Sequence, residues 1–200
     1  MESAYDWIQL LKTYKTAVNQ NNLVIEIGAS NKKRTKQLAK YCQKLTGVEY
    51  YKKRILKSFD NIKYVQGDWQ NLKKIKSDSF DILVSSHTIE HIKNDLKAIN
   101  ETYRVLKTPG VALITTPNRN RLIRVLLEFF TGKRKFPHHE HQREYSYHDL
   151  QILLSKSNFK NYQIIPLAFG IHAWKIKLYS KKIPKKNEKY ACYWLIKLKK

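Results

Sequence analysis

Short, continuous apolar runs alternate along this chain with longer stretches whose apolar residues recur at helical spacing. The clearest run is Leu23-Val24-Ile25-Glu26-Ile27, followed at once by Gly28-Ala29-Ser30. An unbroken run of Leu, Val and Ile reads as a parallel strand covered on both faces. Gly28 stands where a chain leaving a strand must bend sharply or admit a ligand to its backbone. Residues 32–44 then read as a helix. Further runs predict strands at 45–50, 62–66, 80–85, 111–116, 161–167 and 190–198. Helices are predicted over residues 1–21, where Trp7, Leu10, Leu11, Tyr14 and Val18 share a face, and over 52–59. Another covers 94–107, with Leu96, Ile99, Tyr103 and Leu106 on one side and Pro109-Gly110 as its stop. Ser146-Tyr147-His148-Asp149 has the form of a capping box, opening a helix through Leu150, Leu153 and Leu154.

Strands alternating with helices predict an α/β fold, a Rossmann-like doubly wound sheet of seven strands. The sheet is expected to be mostly parallel, with an antiparallel last strand inserted beside the sixth. The chain reads as one domain, 1–200, with the 1–21 helix covering the ligand cleft or a sheet edge. Residues 118–143 break the rhythm. They hold a helical stretch (122–130), the basic cluster Lys133, Arg134 and Lys135, and His138, His139 and His141. This insert reads as a lid over the open end of the sheet.

Charge changes the picture. The formal net charge is +23, and residues 171–200 carry ten Lys against one Glu. Such a balance favours anionic partners: nucleic acid, acidic lipid headgroups or a phosphorylated substrate. AT-rich coding would also raise Lys, Asn, Ile and Tyr, but it would raise Glu with them. No apolar run approaches the ~18 residues that span a bilayer, and the first residues do not form a signal peptide. The expected setting is therefore the cytoplasm, with peripheral contact at the inner membrane face through the C-terminal lysines. Cys42 and Cys192 match no metal or redox spacing and read as unpaired thiols. The three lid histidines are too closely spaced for a structural zinc pattern and have no cysteine partners, so no metal is expected.

The chemistry centres on three acids near the ends of successive predicted strands: Glu26, Glu49 and Asp68. Glu49, 23 residues after Glu26, fits an acid at the tip of the second strand accepting from ribose hydroxyls. Asp68 can take an adenine amino group with the Trp69 backbone beside the ring. Glu26 can order the turn and the cofactor's amino end. The run from Gly28 is Gly-Ala-Ser-Asn-Lys-Lys, so the G-x-G-x-x-G dinucleotide fingerprint is absent, as is a Walker loop. A cofactor with adenosine but no phosphate, S-adenosylmethionine, fits better.

Six stretches carry a resemblance at this point: VIEIGAS, TGVEYY, YVQGDW, SFDILVSSHTIEHI, RVLKTPGVALITTPN and HQREYSYHDLQILLSKSNF. In this order and spacing the chain resembles the class I S-adenosylmethionine-dependent methyltransferases, close to the small-molecule branch that includes the ubiquinone-biosynthesis type. The resemblance implies that Glu26, Gly28, Ala29 and Ser30 line the methionine part of the cofactor. It implies Glu49 on ribose, Asp68 and Trp69 on adenine, and Ser85, Ser86 and His87 bordering the cofactor beneath the lid. Glu90-His91 matches a motif common in that family, so His91 and His87 are the candidate general bases. The usual turn of the family is E-x-G-x-G-x-G, and here Ser30 and Lys32 replace the second and third glycines. A positive φ at Ser30 would carry a strain cost of ~1 kcal/mol or more. The acceptor implied is a small molecule or a lipid- or glycan-linked one. Two other readings stay open: a non-catalytic binding protein on the same fold, suggested by the altered turn, and an RNA methyltransferase, suggested by charge.

Overall fold

The computed structural model describes residues 4–132, 140–173 and 176–200. Helix α1 (Ala4–Ala17) precedes β1 (Leu23–Ile27), α2 (Lys32–Ala39) and β2 (Lys44–Glu49). Then follow β3 (Ile62–Gln66), β4 (Phe80–Ser86), α3 (Asp95–Val105) and β5 (Leu106–Pro117). After α4 (Leu122–Thr131) and α5 (Tyr147–Ser155), the chain forms β6 (Asn161–Ala173), β7 (Ile176–Ser180) and β8 (Ala191–Lys199).

The strands form one sheet in the order β3-β2-β1-β4-β5-β8-β6-β7. The pairs β3–β2, β2–β1, β1–β4 and β4–β5 are parallel, and β8 runs antiparallel between β5 and β6. The seven expected strands are thus in their expected arrangement. The addition is β7, which folds back on β6 in an antiparallel hairpin and makes an eighth, edge strand. Chain order reverses between β1 and β4, and in such sheets a crevice opens at that point beyond the carboxyl ends.

Both faces of the sheet are covered, which is why its central strands are unbroken apolar runs. On one face Ile25, Ile27, Leu83 and Ile114 pack with Ile99 of α3 and Leu150 and Leu154 of α5. On the other, Val24, Ile82, Val84 and Leu113 meet Leu10 and Tyr14 of α1 and Leu38 of α2. The Tyr14 hydroxyl donates to the Leu38 carbonyl at 3.1 Å, joining the two helices. Cys42 and Cys192 are free and buried.

Three predicted elements need correction: the helix expected over 32–44 stops at Ala39, and Lys44 already opens β2. Residues 52–59 are no helix; only Lys52–Arg54 makes a single 3-10 turn. Three cations open the segment where a helix N-terminus favours acids, and Ile55, Leu56 and Phe59 instead lie against the α1–α2 side of the core. Helix α3 also ends before Pro109-Gly110. Both residues belong to β5, at the place where its pairing with β4 shifts between Phe80 and Ile82. The capping box is present: Asp149 N–H donates to Ser146 Oγ at 3.2 Å, and Ser146 N–H donates to Asp149 Oδ2 at 2.8 Å.

Candidate active site

The turn after β1 is built on a single glycine. Gly28 has φ +77°, and an added Cβ would lie 2.3 Å from Thr88 Oγ1. Ser30 and Lys32 are absent from the non-glycine residues at positive φ, so neither replacement strains the backbone. The Ser30 amide donates to the Gly28 carbonyl at 2.9 Å, and the Gly28 and Ala29 amides both donate to the Val48 carbonyl. Asn31 caps α2 by accepting from the Arg34 amide, which places Lys32 inside the first turn of that helix. The Lys32 ammonium lies 5.2 Å from the centre of the Phe59 ring.

The three acids lie at or just beyond neighbouring strand ends. Glu26 in β1 and Glu49 at the end of β2 are buried, and Asp68 follows β3 half-buried. Glu49 Oε1 accepts from the Tyr51 amide at 3.1 Å, which fixes its side chain. Beside it a pocket of about 410 Å³ is lined by Tyr50, Tyr51, Lys52, Gln66, Gly67 and Asp68. Asp68 Oδ1 accepts from the amide of Gln70 at 2.9 Å and from its side chain at 3.2 Å. Trp69 turns into the core, its indole N–H donating to Thr102 Oγ1 at 2.9 Å, which leaves its backbone for the expected contact. A larger cavity of about 680 Å³ opens elsewhere on the sheet and shares only Gln66 and Gly67 with this pocket.

At the tip of β4, Ser85 is buried and its hydroxyl makes no hydrogen bond among the described residues. Ser86 Oγ accepts from Arg34 at 3.4 Å and from the Thr115 hydroxyl at 3.2 Å. His87 then takes φ +51°, uncommon for a residue with a Cβ. Its Nε2 is 2.7 Å from Asp6 Oδ2 of α1, and its Nδ1 is 3.3 Å from Glu90 Oε1. Burial works against the charged ring, but hydrogen bonds and the charges of Asp6 and Glu90 outweigh it and raise the pKa to about 10. Two carboxylates facing the two nitrogens of this half-buried ring thus favour its imidazolium form. A ring charged in this way has no lone pair to offer, so the geometry favours His91 over His87 as the general base.

His91 occupies a 3-10 turn (Ile89–His91) just past β4. Its Nδ1 lies 3.1 Å from the Glu140 carbonyl. A carbonyl only accepts, so Nδ1 carries a hydrogen and Nε2 is the nitrogen turned away from Glu140. The ring meets that of His141 edge-on at 4.8 Å between centres.

The returning end of the insert is pinned to this tip. The Gln142 and Arg143 amides donate to the Glu90 carbonyl at 2.8 and 3.2 Å. Tyr145 donates to Asp95 Oδ2 at 3.0 Å, and Arg143 pairs with the same oxygen at 2.8 Å. Burial opposes ionisation of Glu144, but His141, Arg121 and Arg124 hold its pKa near 2. Among the described residues Glu90, His91 and His141 bring potential ligand atoms within 4.8 Å of one another. Glu90 Oε2 already accepts from the Thr116 hydroxyl at 3.2 Å. Lys133, Arg134, Lys135, His138 and His139 lie outside the described residues.

Sequence reasoning missed Asp6 and Arg34. Asp6 has a signal in hindsight: it lies four and eight residues before Leu10 and Tyr14, on the buried stripe of α1. An acid on such a stripe requires a buried partner. Arg34 lies 4.8 Å over the Trp7 ring while reaching Ser86, linking α1, α2 and the β4 tip.

Comparison with known proteins adds to this geometry. Residues 25–114 match the family model described as a methyltransferase domain. A probable S-adenosylmethionine-dependent methyltransferase of Mycolicibacterium smegmatis is 32% identical over 82 residues, 41% of this chain and 29% of that protein. The chain thus matches less than a third of that relative's length. Among solved structures, the YcgJ protein of Bacillus subtilis superposes with a TM-score of 0.70 at 23% identity, covering 96% of this chain and 98% of that one. A methyltransferase of Thermotoga maritima dependent on the same cofactor gives 0.65 at 21% identity, covering 97% and 89%. At these identities the structural likeness is one of fold.

Proposed function

We propose that the chain is a class I S-adenosylmethionine-dependent methyltransferase, a reading that the matches of residues 25–114 and of the fold support, and that it transfers a methyl group to a small-molecule or lipid- or glycan-linked acceptor entering beneath the 118–143 insert. The carrying observation is the set of carboxylates Glu26, Glu49 and Asp68 at neighbouring strand ends around the left-handed turn at Gly28. This donor set fits the cofactor. Two buried acids and one half-buried acid suit its amino end, ribose hydroxyls and adenine amine, and none suits a phosphate. The buried Ser85 hydroxyl, unpartnered among the described residues, adds one polar group at the β4 tip.

The cofactor when bound supplies a methyl already activated on a sulfonium. The residues of this chain then have three tasks: to orient the acceptor atom in line, to exclude water, and to take a proton where the acceptor carries one. His91 Nε2 is the group for the last task. His87, paired with Asp6 and Glu90, holds α1 against the β4 tip and so helps to close the site to water.

Two experiments test this reading. Calorimetric titration of the protein with S-adenosylhomocysteine is expected to give a micromolar dissociation constant, weakened at least tenfold by Glu49→Ala. Absence of heat up to millimolar ligand would move the assignment to a non-catalytic member of the fold. With an acceptor in hand, His91→Ala is expected to lower the methylation rate by ~100-fold with cofactor affinity unchanged, the usual scale for a lost general base. A full rate in His91→Ala would remove that role.

A further inference from the structure

Helix α4 is built inside out. Its inward stripe is charged: Arg124 is 4% exposed and lies 3.3 Å from Glu144 and 3.2 Å from Glu128. Arg121 reaches Glu144 at 2.9 Å, and Arg119 reaches Glu128 at 2.9 Å. Its outward face is apolar. Val125, Leu126 and Leu127 are exposed, Phe129 is 82% exposed and Phe130 79%. The two phenyl rings pack edge-on at 5.5 Å, and Gly132, left-handed at φ 63°, ends the helix just after them. A helix on a water-facing surface places its polar side outward. A contiguous exposed patch of this kind marks an interaction surface.

The chemistry of the partner is written beside it. Residues 181–189 carry five lysines against one glutamate, and Lys181, Lys182, Lys185, Lys186 and Lys189 are all exposed. Asn118, four residues before α4 begins, donates from its side chain to the carbonyls of Lys189 and Ala191 at 2.9 and 2.8 Å. The apolar helix and the lysine segment therefore rise from one rim of the sheet. A second copy of the chain would set two molecules of +23 charge and two lysine segments against each other. An anionic bilayer surface satisfies both features: its phosphates take the lysines and its acyl boundary takes the rings.

We propose that α4 and residues 181–189 form a docking face for an anionic membrane surface, with Phe129 and Phe130 entering the boundary between headgroups and acyl chains. None of the candidate cofactor residues lies in α4 or in residues 181–189, so the inference goes beyond methyl transfer and does not depend on it. It also places α4, which follows β5, at the lipid surface, where a lipid-linked acceptor would be met.

The test is flotation of the full chain with vesicles of phosphatidylglycerol and phosphatidylcholine, against phosphatidylcholine alone, at physiological salt. The expected result is partition onto the anionic vesicles at least tenfold above the neutral ones. Phe129→Ser/Phe130→Ser is expected to lose at least tenfold of that binding with an unchanged melting temperature, since both rings are exposed. Failure to float on anionic vesicles would overturn the proposal. So would undiminished flotation of the double variant, which would reduce the contact to charge alone. A dimer in sedimentation equilibrium that the double variant dissolves would assign the face to a second copy instead.

Discussion

Replacing His87 with alanine is expected to cost about 3–5 kcal/mol of stability at pH 7, the scale for removing one partner from a buried ionic group. Asp6 and Glu90 are both fully buried, and each faces a different nitrogen of the same ring. Removing the ring leaves two carboxylates with their shared cation gone. Asp6 Oδ1 already has no hydrogen-bond partner among the described residues, so little is in place to compensate. The sign with pH follows from the raised pKa. The unfolded histidine titrates near 6.5 and the folded one near 10. The stabilisation is therefore complete below pH 6.5 and is lost as pH rises through 10. Thermal melts from pH 6 to 10 should show wild-type stability falling across that window, and the variant's slope should be flatter. His87→Ala combined with Asp6→Asn should recover part of the loss, because one uncompensated charge is gone. A single variant within 1 kcal/mol of wild type, or parallel pH profiles, would refute an imidazolium at His87.

The same triad shows where sequence reasoning stops. The strand at 23–27, the strand at 62–66 and the capping box at 146–149 were all readable, because each is decided by neighbours a few residues apart. The position of Glu26, Glu49 and Asp68 at or near strand ends was readable as well, since a parallel α/β unit repeats its strand ends at regular intervals. The Asp6–His87 pair spans 81 residues and two elements, and no local pattern encodes it. His91 and His141 meet only because the insert returns across the β4 tip. Helix α4 was found by its apolar content, yet an apolar stripe does not say whether core or partner covers it. Residues 52–59 went the other way: a helix was expected between two strands, while four cations in six residues, 52–57, opposed one.

The altered glycine turn is where sequence and structure differ most usefully, and Gly28→Ala tests it. The family pattern of three glycines made Ser30 and Lys32 suspect, but only Gly28 is left-handed in this turn. An alanine there meets two penalties. A Cβ residue at φ +77° is strained by ~1–2 kcal/mol. The Cβ also falls 2.3 Å from Thr88 Oγ1, with Thr88 Cβ and Cγ2 both at 3.3 Å. Thr88 has little room to yield, because its hydroxyl is held by the Ser86 carbonyl at 3.3 Å and the Ile27 carbonyl at 3.5 Å. Together the expected loss is ~2–4 kcal/mol of stability, in the range of overpacking added to backbone strain. Cofactor affinity should fall with it, because relief of the clash must move either the turn or the β4 tip, and both border the cleft. Adding Thr88→Gly should restore the steric share and leave the backbone share, ~1–2 kcal/mol. Chemical denaturation separates the two terms, and calorimetry with S-adenosylhomocysteine reads the site. If Gly28→Ala alone matched wild type in both, the turn would tolerate a side chain at every position, and the reading of Gly28 as its single required glycine would be wrong.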